Sequence, residues 1–173
     1  MPGVMRSCPT YPGVRAIRGA GIPIIHVIAV AREDNRNVPR HNRLWNDPMW
    51  RDTKLGTFVA GSHGAQIHPA VEARDDELVL LKNSIDPFLT TGLHQALVNA
   101  DTHTVMMFGF WTNFAVEGTA RHAADIGYRT IVVSDCCASG AEADHDYAVT
   151  RILPRLCEVT PSSEVLSALG VVT

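Results

Sequence analysis

The 173-residue chain has no basic stripe, no apolar run near the roughly 18 residues of a transmembrane helix, and no CxxC pair. Each absence removes a class of function. Fifteen basic residues against 18 acidic ones leave a net charge of -3, with a pI of about 6.2, which disfavours nucleic acid as a partner. Without a long apolar run, a membrane-spanning helix is not expected. The opening residues, Met1 to Cys8, do not follow the charged-then-apolar plan of a secretion signal. Of the four cysteines, Cys136 and Cys137 are adjacent, a poor geometry for a structural bridge; Cys8 and Cys157 complete the set. Reduced thiols in a cytoplasmic protein are the expectation. There is no internal repeat, no low-complexity segment, no GxSxG and no phosphate-binding glycine loop. At 46% hydrophobic content, a single domain over residues 1–173 with a substantial core is expected.

Short apolar runs span Ile22 to Val30, Leu78 to Leu81, Thr104 to Phe110 and Thr130 to Val133. None alternates as a half-exposed strand does, so they suit a parallel sheet covered on both faces. Helical patterns lie between them. Thr91 to Ala100 places Leu93, Leu97 and Val98 on one face. Phe114 to Ile126 carries an apolar stripe (Val116, Ala120, Ala123, Ala124) and a charged one (Glu117, Arg121, Asp125), with Gly127 where a helix-ending glycine belongs. Asp144 to Leu153 and Ser162 to Leu169 complete the set, with Ser162 or Ser163 as a cap for the last helix. The alternation predicts an α/β fold: a doubly wound, mostly parallel sheet in a Rossmann-like three-layer sandwich. Tyr11 to Ala20 reads as a crossover helix leading into the strand at Ile22, with no strand ahead of it.

Ala31 to Ala65 differs from the rest, being rich in Arg, Asn, Asp and Pro around Trp45 and Trp50. Two readings stand: a lid or interface arm, or a solvated excursion whose tryptophans pack locally. His63 and His68 lack convergent metal-ligand spacing, and Asp101-Thr-His103 precedes a strand at the rim away from the site. These histidines read as surface or capping residues. No metal and no cofactor are expected.

The most informative junction is Gly109-Phe-Trp-Thr-Asn-Phe-Ala115-Val-Glu-Gly-Thr-Ala-Arg121. A buried strand ends at Gly109-Phe110, turns within a few residues and begins a helix near Asn113, which Thr112 or Asn113 can cap. In open α/β sheets, sites form at the carboxyl ends of strands, and backbone N–H groups of the first helical turn can hold a developing oxyanion. The alternative is an ordinary strand-to-helix turn.

Other segments extend the pattern. Gly19-Ala-Gly-Ile-Pro-Ile-Ile-His26 precedes and enters the first strand, Gly64-Ala-Gln-Ile67 lies ahead of the next, and Leu81-Lys82 is followed by Phe88, Thr91 and Leu93. Asp135-Cys136 and Thr160 to Leu169 close the chain. Together with Gly109 to Ala123, these segments resemble the isochorismatase-like cysteine hydrolases over nearly the whole chain. That family includes isochorismatases, nicotinamidases and ureide or carbamoyl amidohydrolases. The resemblance implies an Asp–Lys–Cys triad in which the thiol attacks an amide-type carbonyl, the Asp acts as its base and the Lys stabilises charge. An acid–base cleavage of a vinyl ether is the related route. It assigns the lysine to Lys82, a non-proline cis bond to Phe110-Trp111, and the oxyanion donors to the N–H groups of Trp111 and Ala115. Trp111, Asn113 and Phe114 are the implied substrate-binding residues. The family's serine and alanine after the lysine are here Asp86 and Pro87.

Two departures bear on activity. The nucleophile position is Ala115, whose methyl group cannot attack a carbonyl. The family's Asp belongs at the end of a first strand that this sequence lacks. Cys136 ends the next strand, off the elbow. Asp86 reads either as a partner for Lys82 or as a loop carboxylate, and Lys82 either as a site residue or as a rim lysine. Trp111 walls a ligand or packs between subunits. Two readings stand for a chain that takes a small-molecule substrate or ligand: a family member without turnover that serves as a binding or assembly subunit, or a hydrolase of the C–N bond of a small amide or ureide whose sequence is altered at position 115 and clipped at its start. The chain is expected to contact neither nucleic acid nor membrane and to form a homo-oligomer (dimer or tetramer), with residues 31–65 as one interface. A different α/β enzyme using other residues is the weakest alternative.

Overall fold

The computed structural model describes residues 10–47 and 58–170. Cys8 and Trp50 lie outside the described residues. In chain order the main elements are α1 (Thr10–Gly19), β1 (Ile25–Ala29), α2 (Arg43–Asn46), β2 (Leu78–Lys82), α3 (Pro87–Thr90), α4 (Leu93–Asn99), β3 (Thr104–Phe110), a π-helical turn (Thr112–Val116) running into α5 (Glu117–Asp125), β4 (Arg129–Ala138), α6 (Glu142–Tyr147) continuing as a second π-helical turn (Ala148–Ile152), β5 (Glu158–Thr160) and α7 (Ser162–Ala168). They cluster as two compact units, residues 1–23 with 95–173, and residues 24–94.

In the first unit, β3, β4 and β5 form a parallel sheet in that order. Helices cover both faces. On one, Val116 and Ala120 of the elbow helix, with Ala148 and Leu153, pack on Val132, Met107, Cys137 and Val159. On the other, Val14 and Ile17 of α1 and Leu166 of α7 line an apolar recess with Met106, Phe108, Val133 and Cys136. The β3–β4 ladder is not continuous. Met107 lies opposite Val132, but Gly109 lies opposite Cys137. α5 ends as its sequence predicts. Gly127 has φ +94°, and the N–H groups of Gly127 and Tyr128 donate to the carbonyls of Ala124 and Ala123.

In the second unit, β1 and β2 pair in parallel from Ile25↔Leu78 to Ala29↔Lys82. Below them His26 Nε2 meets Glu77 Oε2 at 2.8 Å. Ala31 bridges to Val59, and Ala31, Val38 and Trp45 make a small core against Phe58, whose ring centre is 5.6 Å from the indole. Trp45 thus packs locally.

Several expectations change. β2 reads as buried on both faces, yet Leu78, Val79 and Leu81 are exposed, Leu81 by 60%. The described sheet of this unit has two strands, and those side chains meet solvent. The last helix is not capped by Ser162 or Ser163. Its cap residue is Pro161, and the Asp135 carboxylate accepts from the Ser162 N–H and hydroxyl at 2.8 and 2.6 Å. The strand β5 was not anticipated; three residues are too few to show a period. Among the described residues, no helix is long and apolar enough to cross a membrane.

Candidate active site

The elbow is built where β3 ends. Gly109 takes φ +136°, a conformation that side chains rarely adopt. The next peptide bond but one residue on, Phe110-Trp111, is cis, at the place the resemblance assigns. The chain then winds into the π-helical turn. The Trp111 carbonyl accepts from the N–H of Phe114 at 3.3 Å and of Val116 at 3.0 Å, the second closing the wide turn. Ala115 sits half-buried within it, in a first turn whose N–H groups outnumber their intrahelical acceptors.

Neither Thr112 nor Asn113 caps this helix; the cap position is Trp111, without a side-chain bond. Both side chains instead reach outward. Thr112, fully buried, places Oγ1 2.9 Å from Nδ1 of His145 on α6. Asn113 Oδ1 accepts from the Ser139 hydroxyl at 2.9 Å, and its N–H donates to the same oxygen at 3.4 Å. Trp111 stacks on Phe110 with ring centres 5.1 Å apart and tilts against Phe114 at 5.3 Å. Its indole lies on Gly140, where a Cβ would come within 3.2 Å of the ring. Phe110 is 44% exposed. The elbow therefore presents an aromatic ledge beside a turn anchored by the segment after β4.

Lys82 belongs to the 24–94 unit, at the end of β2. It is only 6% exposed, and its ammonium donates to the Ile85 carbonyl. Burial pushes its pKa down to about 8, and the Asp86 carboxylate pulls the other way. Asp86 has two tasks, because its Oδ1 also accepts from the Phe88 N–H at 2.9 Å and caps α3. Ser84, buried, is tied to the Asp86 carbonyl and to Thr90 Oγ1 at 2.5 and 2.8 Å. Thr91 accepts from the Leu93 N–H at 3.1 Å, opening α4. The loop that holds the lysine is thus internally bonded.

Cys136 lies in the recess lined by α1 and α7, on the sheet face opposite the elbow helix. It does not replace a thiol at Ala115. His68 caps its own short turn by accepting from the Ala70 N–H at 3.2 Å, and His103 pairs with Asp101 at 3.6 Å on the surface. Among the described residues, no three His, Cys, Asp or Glu side chains gather as a metal site. Sequence reading missed Ser139, Gly140 and His145. The usable signal was position, since Ser139 follows directly on the carboxyl end of β4.

The family model of the isochorismatase domain matches residues 12–164. The isochorismatase family protein YecD of Escherichia coli O157:H7 is 31% identical over 103 residues, 59% of this chain and 55% of that protein. The chain spans about half the length of such curated relatives. A maleamate amidohydrolase of Pseudomonas putida is 25% identical over 174 residues, 97% of this chain and 76% of that enzyme. The structure of a cysteine hydrolase from Pseudomonas syringae pv. phaseolicola 1448A shares the fold, with a TM-score of 0.82 and 23% identity over 94% of this chain and 78% of that one. With the isochorismatase domain matched over residues 12–164, the chain belongs to the isochorismatase family.

Proposed function

We propose that the elbow holds the carbonyl group of a small amide or ureide, and that this chain does not break the C–N bond by a thiol route. Ala115 at the elbow carries the proposal. In that route a sulfur at this position bonds to the carbonyl carbon. The oxygen takes the displaced electron pair, the amine leaves with a proton, and water then frees the acyl group. A methyl group has no electron pair to begin the sequence. What stays is recognition. The resemblance gives the N–H groups of Trp111 and Ala115 to the carbonyl oxygen and charge stabilisation to Lys82. The amide chemistry is supported by the relative named maleamate amidohydrolase. The proposal includes a homo-oligomer, supported by the exposed apolar side chains of β2.

The test is calorimetric titration of the full chain with a panel of small carboxamides and ureides, with ammonia release followed in parallel. Saturable binding without ammonia release is expected. Turnover by the unaltered chain that disappears in Lys82→Ala overturns the proposal, as does the absence of binding across the panel.

A further inference from the structure

We infer that His145 is a positioning residue for the elbow, acting through the Thr112 hydroxyl to fix the direction in which position 115 faces its ligand. The inference rests on the elbow being the ligand site proposed above. The Thr112–His145 contact, 2.9 Å from hydroxyl to imidazole, has the spacing of a hydroxyl nucleophile and its base. Burial decides against that role. Thr112 exposes 0% of its surface, so no carbonyl carbon reaches its oxygen. The bond is a strut instead.

What it supports is an unusual turn. Thr112–Val116 winds as a π-helix, closed by the Val116 N–H on the Trp111 carbonyl. Winding of this kind is rare, and tightening it to an α-helical turn rotates every side chain within it. Its first two residues are held from outside, Thr112 by His145 and Asn113 by Ser139. α6, which carries His145, packs against this turn. The Thr112 strut ends on a side chain with no exposed surface and joins residues 33 positions apart.

The probe is a thiol placed at position 115 by Ala115→Cys in the full chain. Its alkylation by iodoacetamide is followed against pH by peptide mass spectrometry. Peptide mass spectrometry separates position 115 from the native Cys8, Cys136, Cys137 and Cys157. A thiol directed at the N–H groups of a first helical turn titrates below the ordinary value of about 8.5. Adding Thr112→Val or His145→Ala should raise the midpoint by about one pH unit. The double change should go no further than either single one, because both remove one strut. His145→Asn keeps a polar atom near the Nδ1 position and should restore the midpoint. Thr112→Val removes no charge, which separates positioning from a direct effect of the imidazole. Unchanged midpoints with a lowered Tm would make His145 merely structural, and additive shifts would make the two residues independent; either overturns the inference. If Thr112→Val does not fold, His145→Ala and His145→Asn decide between them, since equal midpoints in the two also overturn it. Failure of amides to bind leaves this titration as it stands, so the two readings fall separately.

Discussion

Lys82 holds its charge against its surroundings. Burial lowers its pKa from 10.5 to about 8 even with Asp86 close by. The folded pKa lies below the unfolded one, so between about pH 8 and 10.5 the unfolded chain binds more protons. Stability therefore rises with pH through that window, and the penalty is complete below it. Lys82→Met keeps most of the stem and drops the ammonium. It should stabilise the protein at pH 7 by about 2–3 kcal/mol and flatten the rise, as read from urea unfolding at pH 7 and 10.5. The resemblance singles out Lys82, which ends β2, and Ala115, which sits in the turn after β3. Thr112 and Asn113 were legible only as polar residues at a turn. Their partners come 33 and 26 residues later, and no local pattern links such distant side chains.

Elements were read well where period and caps agree, and less well where they do not. α1, β3 and the Gly127 terminus fall where the sequence puts them. The helix from Phe114 starts earlier and wider, because hydrophobic spacing cannot separate a π turn from an α turn over five residues. At the start of α7 a distant carboxylate replaces a local cap. Asp135→Ala should cost about 1 kcal/mol, the usual worth of a helix cap, measured by thermal or urea unfolding. The turn after β4 bears on the indole of Trp111. A methyl group at Gly140 would stand 3.2 Å from the ring. Gly140→Ala should therefore push the indole away, at about 1–3 kcal/mol of overpacking, and shift its fluorescence. Unaltered emission with unaltered stability would mean the ring yields freely.

For the molecule as a whole, the α/β class and the parallel sheets were legible because every apolar run is strand-length and helical periods follow the last three of them. Exposure was not legible. An apolar run states that a strand can be buried on both faces, and in β2 the described chain does not bury it. With a pI of about 6.2, the net charge that keeps molecules apart vanishes at mildly acid pH. Leu81→Lys, on the most exposed of these side chains, should raise solubility at pH 6 and lower self-association, as seen by light scattering. The step in the β3–β4 ladder has another consequence. Met107 to Gly109 advances two residues while Val132 to Cys137 advances five, so the surplus is odd. That parity brings Val132 and Cys137 to the same face, and Val133 and Cys136 to the other. The stretch thus works as a ruler. Lengthening or shortening it by one residue would turn Cys136 and Cys137 over and draw Ser139 away from Asn113, so insertions and deletions here are tolerable only in even steps.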